Sequence, residues 1–247
     1  MRVALLADVH SNLQALQACL AHAQRQGVDR LAYLGDLVGY GPDPAGVVAL
    51  AREHAAAGAV AVLGNHDAAV LGRDPHRMSD SAQAAVEWSR GQLQRDDLDF
   101  LDRLPMSVRE GEVLYTHASA HEPQRWDYIT SAAEAVLSMQ ASGAWLTVGG
   151  HVHEPHLYHR RGGGTAQPFR PVPGTAVQLQ PSLQWLSIVG SLGQPRDGNT
   201  AACYAVLDVD RRRLTHHRVP YDVAATARRI RQVGLPERLA WRIEHAS

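Results

Sequence analysis

Val3-Ala4-Leu5-Leu6-Ala7-Asp8-Val9-His10 is an apolar run closed by an acid and, two places later, an imidazole. The charge ends the run far short of a membrane span or a secretory core, so Val3 to Ala7 is expected to be a buried first strand. Leu13, Leu16, Ala18 and Leu20 then recur at helical spacing, and Gly27 closes that helix before a second strand at Leu31 to Leu34. Pro44 opens a helix through Val47, Val48 and Leu50, and a third strand at Val60 to Leu63 ends at Gly64. A long helical stretch from Ser79 to about Leu104 stops at Pro105. Strands at Val113 to Thr116 and Trp145 to Val148 flank a helix carrying Ala133, Val136, Leu137 and Met139. Strands alternating with helices predict parallel pairing through crossovers.

The second half changes character. Leu157 to Arg160, Val177 to Leu179, Trp185 to Val189, Ala201 to Val209 and Leu214 to Val219 are expected as strands with short connections. These should pair mainly antiparallel, as a second sheet packed on the first. A closing helix from Val223 to Val233 turns Arg228, Arg229 and Arg231 to solvent. No repeat or linker divides residues 1–247, which are expected to form a single domain.

Composition narrows the function classes. With 24 Lys+Arg against 25 Asp+Glu the net charge is -1, which offers little attraction to a long nucleic acid. Cys19 and Cys203 are too few for a disulfide framework and are expected as buried free thiols. No segment approaches a membrane span, and a cytoplasmic location is expected. The oddity is 14 His beside only 2 Phe, and the placement of those imidazoles carries the chemistry.

Asp8 and His10 follow the first strand and Gly35-Asp36 the second. Gly64-Asn65-His66-Asp67 follows the third, His117 the fourth, and Gly149-Gly150-His151-Val152-His153 the fifth. In open α/β sheets the carboxyl ends of strands are where ligands bind, so these segments should converge on one crevice. Each has a bland explanation taken alone: an Asp or Ser before a helix caps it, and Asn favours turns. All of them in order, each at a strand end, point to metal coordination. Mixed oxygen and nitrogen donors suit Mn, Fe, Zn, Co or Ni better than Ca or Mg. Two such ions would polarise a phosphoryl oxygen and supply a hydroxide near neutral pH.

Asp-x-His, Gly-Asp, Gly-Asn-His-Asp, His and Gly-His-x-His, in that order, resemble the calcineurin-like metallophosphoesterase superfamily over Met1 to about His156. Gly190 to Gly198 and the segment Val219-Pro220-Tyr221-Asp222 resemble its small prokaryotic phosphodiesterase branch. Val152 stands where Thr is common and Val189 where Pro often precedes the Gly-Ser turn, departures that touch no ligand position. The resemblance implies a four-layer α/β/β/α sandwich of two mixed sheets. It implies two divalent metal ions, Mn first among the candidates. Asp8, His10, Asp36 and His153 would hold one; Asp36, Asn65, His117 and His151 would hold the other, with Asp36 as bridge. It makes His66 the acid that protonates the leaving oxygen, Asp67 the residue that orients it and keeps it cationic, and a bridging hydroxide the in-line nucleophile.

Protein Ser/Thr phosphatases and symmetrical dinucleoside tetraphosphate hydrolases place an Arg shortly after Gly-Asp. Here the stretch is Leu37-Val38-Gly39-Tyr40-Gly41-Pro42-Asp43-Pro44, which has no cation and argues against both groups. Arg196 is the candidate phosphate clamp, against a surface salt bridge to Asp197 or a neighbour as the plainer alternative. Tyr40, Trp126 and Tyr128 are candidates for a stacking wall, with core packing as the alternative. His22, His54, His76, His159, His216 and His217 are expected to be surface or packing residues; His121 and His156 lie near motif residues without a motif's spacing. The expected substrate is a small phosphate ester, diester above monoester. A nuclease or a non-catalytic scaffold on the same fold is the alternative, and a homo-oligomer remains open.

Overall fold

The computed structural model describes residues 1–73 and 78–247; the expectation for His76 lies outside the described residues. Strands β1 (Arg2–Leu6), β2 (Arg30–Tyr33) and β3 (Val60–Ala61) alternate with helices α1 (Leu13–Arg25) and α2 (Pro44–Ala56). These three strands are parallel, as expected. α3 (Asn65–Val70), α4 (Asp80–Gln92) and α5 (Arg95–Asp102) follow, then β4 (Ser107–Glu110), β5 (Val113–Thr116), α6 (Ala132–Ser142) and β6 (Leu146–Gly149). The remaining elements are β7 (His156–Arg160), β8 (Gln167–Phe169), β9 (Ala176–Gln178), β10 (Gln184–Ile188), β11 (Ala202–Asp208), β12 (Arg213–Val219), α7 (Val223–Gln232) and α8 (Glu237–His245).

Two mixed sheets of six strands result, ordered β3-β2-β1-β11-β12-β9 and β4-β5-β6-β10-β7-β8. The expected partition into a first-half sheet and a second-half sheet is therefore corrected. β11 pairs antiparallel with β1, bringing β12 and β9 into the first sheet, while β10 runs parallel to β6 in the second. Apolar alternation along β1 shows why both faces are buried. Val3, Leu5 and Ala7 join Val113, Tyr115, Leu146, Val148 and Trp185 between the sheets, whereas Ala4 and Leu6 face α1, α2 and α5. α6 covers the outer face of the second sheet through Ala135 and Met139 against Tyr158, Leu186 and Ile188. The order of layers is thus helix, sheet, sheet, helix, as the resemblance implied.

Two other expectations change. The helical stretch from Ser79 to Leu104 is two helices, because Leu93 is extended (ψ 139°) and Gln94 starts α5 with Asp97 accepting from its backbone N–H at 3.1 Å. The third strand stops at Ala61, since Leu63 turns its N–H to Pro105 O at 2.8 Å. α3, β4, β8 and α8 were not foreseen. Cys19 and Cys203 are buried free thiols. Among the described residues no helix is long and apolar enough to cross a membrane.

Candidate metal centre and cleft

The strand-end segments meet at one edge. Asp8 and His10 leave β1, Asp36 leaves β2, Asn65 and His66 begin α3 just after β3, His117 leaves β5, and His151 and His153 leave β6. The backbone turns left-handed to aim them: φ is 53° at Asp8, 46° at His10, 54° at Asp36, 69° at His151 and 66° at His153. Residues with a Cβ adopt this region sparingly, at a cost on the order of 1–3 kcal/mol each. Inter-loop bonds offset it: His10 N–H donates to Asp36 O at 2.9 Å, Ser11 N–H to Leu37 O at 2.9 Å, and Gly150 N–H to His117 O at 2.8 Å. Gly64 permits a close approach, because a Cβ there would overlap the Asp36 backbone nitrogen and carboxylate.

Ligand atoms of Asp8, His10 and His153 lie within 4.8 Å of one another, and so do those of Asp36, His117 and His151. Asn65 Oδ1 lies 3.1 Å from His117 Nε2, which adds it to the second group. Asp36 Oδ2 is 3.6 Å from His10 Nε2 and 3.4 Å from His117 Nε2, so one carboxylate faces both groups. The seven residues named from sequence are thereby brought together, all buried except the half-buried Asn65.

Their tautomers show that the donor set suits a cation. His10 Nδ1 lies 3.1 Å from Val38 O and His153 Nδ1 2.7 Å from Gln194 O. A carbonyl can only accept, so each Nδ1 carries the proton and each Nε2 presents a lone pair. Yet these two Nε2 atoms face each other at 3.0 Å. A proton is a poor filler, because burial pushes both imidazoles well below their ordinary range, helped at His153 by the Arg196 charge. Two lone pairs that close require an electrophile between them, and a metal ion meets that need. In the second group burial disfavours the His117 cation, but Asp36 overrides it and lifts the imidazole to about 9. The Asp36 carboxylate thus favours positive charge at this position, as a bound cation would supply. His117 Nδ1 donates to Leu34 O at 2.8 Å, the outer-sphere bond that fixes a ligating imidazole.

His66 stands beside this cluster, edge-on to His10 with ring centroids 4.8 Å apart and 4.4 Å from the Tyr40 ring. Its backbone N–H donates to Asp36 Oδ1 at 2.8 Å. The expectation that Asp67 orients its imidazole is corrected. Asp67 accepts from Val38 N–H at 3.1 Å and Gly64 N–H at 3.0 Å, while among the described residues His66 Nδ1 has no hydrogen-bond partner. Nor is His66 held cationic: burial pushes it down to about 4. Asp67 is a backbone brace between the loops that carry Asp36 and His66.

A cleft of about 470 Å³ opens onto Asn65, His66 and His151. Tyr40, Trp126 and Tyr128 all line it, with Tyr128 stacked on His151 at 4.0 Å. Arg196 lines it too, its Nη2 3.4 Å from the Tyr40 hydroxyl and 3.2 Å from Gln194 Oε1. The salt-bridge alternative fails because Asp197 pairs with Arg218 instead. The Gly190 to Gly198 loop is strapped to the first ligand loop: Ser191 Oγ and Gly193 N–H both donate to Asp8 O at 2.9 Å, and Asn12 Nδ2 donates to Gly193 O at 2.9 Å. Arg125 and Arg242 also line the cleft and were missed from sequence. For Arg242 a signal existed, since Leu239, Ala240 and Ile243 share one helical face. Three of the other histidines pack as expected: His22 Nδ1 meets the Tyr204 hydroxyl and His54 Nδ1 the Tyr33 hydroxyl, each at 2.7 Å, and His216 is buried.

Comparison with known proteins is consistent with this geometry. The chain is 31% identical over 246 residues to an uncharacterised protein of Methanocaldococcus jannaschii, covering 98% of this chain and 96% of that one. It is 38% identical over 144 residues, 55% of this chain and 48% of the relative, to a symmetrical bis(5'-nucleosyl)-tetraphosphatase of Chromohalobacter salexigens. A metallophosphoesterase from Sphaerobacter thermophilus superposes with a TM-score of 0.87 at 37% identity, covering 100% of this chain and 99% of the other. A hypothetical protein of Pyrococcus horikoshii shares the fold at 18% identity, with a TM-score of 0.77 over 100% and 98% of the two chains. The profile of the calcineurin-like phosphoesterase superfamily domain matches residues 1–212, and the chain belongs to that superfamily.

Proposed function

We propose that the protein is a hydrolase of small phosphate esters, diesters above monoesters, working with two divalent cations held by Asp8, His10, Asp36 and His153 and by Asp36, Asn65, His117 and His151. The observation that carries this reading is the pair of Nε2 lone pairs of His10 and His153 facing each other at 3.0 Å, each fixed by a proton committed to a carbonyl on the far side of its ring. When bound, the cations supply charge for a phosphoryl oxygen and lower the pKa of coordinated water.

The chain's residues do the rest. Asp36, whose carboxylate faces both groups, would be shared by the two cations. His66 lies at the cleft wall next to Asn65 and His151 and donates its proton to the leaving oxygen. Burial leaves it neutral in the free protein, so the charge of an arriving phosphate favours the protonated form. Arg196, one aromatic ring removed from His66, positions a non-bridging phosphate oxygen. Tyr128 and Trp126 offer faces for a planar leaving group. Two buried free thiols accord with a reducing compartment, and we place the protein in the cytoplasm on that basis.

The test is a turnover panel on protein stripped of metal and reconstituted with Mn, Fe, Zn, Co or Ni: aryl phosphomonoesters, aryl phosphodiesters, cyclic nucleotides and dinucleoside polyphosphates. Diester hydrolysis that follows metal occupancy, and that falls sharply in His66→Asn, most for the poorer leaving groups, is expected. Inactivity across the panel with every metal refutes the reading.

A further inference from the structure

The cleft has a wall that the superfamily profile does not reach, since the match ends at residue 212. Beyond it, α7 and α8 pack through Ala227, Ile230, Leu239, Ala240 and Ile243 in an apolar cluster that includes Tyr40, the residue touching His10 and His66. Arg231 on α7 grips Glu237 and Glu244 on α8, which makes the hairpin one unit. Its end is tied to the Arg196 loop, where Gly198 N–H donates to Ala246 O at 2.9 Å. This anchoring brings the half-buried Arg242 to the same cleft as Arg196.

Among the described residues neither arginine makes an ion pair; Arg196 contacts only neutral groups, the Tyr40 ring at 5.7 Å and the oxygens of Tyr40 and Gln194. Burial, then the charge of Arg196, pushes Arg242 below its ordinary range. The cleft's carboxylate among the described residues, Asp127, is taken by Arg125 at 3.2 Å, so the two guanidiniums of Arg196 and Arg242 repel each other, and an anion between them relieves that cost. The charge count then matters. A phosphodiester carries one negative charge, which the metal centre already meets, so a second guanidinium is matched only by additional anionic groups on the substrate.

We propose that Arg242, beside the Arg196 that meets the attacked phosphate, forms a second anion subsite that receives a further phosphoryl group, so that preferred substrates carry two or more phosphoryl groups. This rests on the phosphoesterase reading above. The guanidinium fork suits bidentate contact with phosphate oxygens, and α8 acts as a specificity element grafted beside the metal-binding edge.

The experiment compares p-nitrophenyl esters of thymidine 5′-monophosphate and thymidine 5′-triphosphate, which share a leaving group and nucleoside, on Mn-reconstituted protein. Arg242→Ala should lower the ratio of kcat/KM for the triphosphate ester to that for the monophosphate ester at least tenfold, chiefly through KM. Arg242→Lys should restore part of it, and Arg238→Ala, an equal charge loss on the same helix, should leave the ratio as in the parent. Calorimetric titration supplies a readout independent of turnover. Pyrophosphate should weaken at least tenfold more than orthophosphate in Arg242→Ala, metal chelation being common to both proteins. An equal loss for both esters, or an equal effect of Arg238→Ala, overturns the subsite. If the parent turns over neither ester, the titration alone decides whether the subsite exists, while the phosphoesterase reading is decided separately by the full substrate and metal panel. Should Arg242→Ala not fold, Arg242→Gln, which retains most of the stem, carries the same comparison.

Discussion

Replacing Asp67 by Asn separates a bracing role from a catalytic one. The carboxylate accepts one backbone N–H on each oxygen, from Val38 at 3.1 Å and from Gly64 at 3.0 Å. An amide has one acceptor oxygen, so its NH2 must confront one of those buried donors. Losing a bond to a charged group and stranding an N–H costs about 2–5 kcal/mol. Part of this is returned, because burial and then the Asp36 charge push the Asp67 carboxyl up to about 7, a penalty that a neutral side chain escapes. A net loss of about 1–3 kcal/mol remains, which for a chain of this size lowers Tm by about 2–12 °C. Thermal unfolding of the metal-free protein measures it. The kinetic companion is a series of aryl phosphodiesters with leaving groups of graded pKa. His66→Asn should steepen the dependence of kcat on leaving-group pKa, whereas Asp67→Asn should lower all members by a common factor. An unchanged Tm together with a slope as steep as that of His66→Asn would refute the bracing role and return Asp67 to the imidazole.

Chelation and dialysis should abolish turnover and lower Tm, with both restored by Mn; at a free metal concentration of 100 times Kd the stabilisation is about 2.7 kcal/mol per site. Gly64→Ala drives a methyl into the Asp36 backbone and carboxylate, so elemental analysis should find the metal content of the purified protein at least halved, and full occupancy would count against that packing. Arg196→Ala should reduce kcat/KM for an aryl phosphodiester about tenfold or more, the value of one charge-assisted hydrogen bond; an unchanged constant removes Arg196 from the substrate's path.

The convergence of the candidate ligands on one edge was legible because parallel strands announce their carboxyl ends. Apolar runs at Val3 to Ala7 and Val113 to Thr116 stop at a polar residue, and the pleat ends with them, so Asp8 and His117 could be placed before any pairing was known. Sheet membership was not legible. β11 must choose between β1 and its neighbours in sequence, and that choice depends on which apolar faces meet between the sheets, information no local window holds. The helix break at Leu93 was visible in principle, since Gln94 and Asp97 have capping spacing. Asp67 misled for a physical reason: adjacency to His66 in sequence does not bring the two side chains together on a helix, where neighbours diverge by about 100°. Arg242 was overlooked because its role arises only when α8 docks against Tyr40, more than two hundred residues away in the chain.

The left-handed turns at Asp8, His10, Asp36, His151 and His153 restrict which mutations the metal-binding edge can accept. Beyond glycine, only Asn, Asp and His are comparatively at ease there, so the backbone narrows the usable alphabet to about four residues before coordination chemistry is consulted. Efforts to retune metal preference by installing Cys, Glu or Thr at these places must carry a conformational handicap. The more tractable positions for redesign are Asn65 and His117, whose side chains reach the same centre from ordinary backbone.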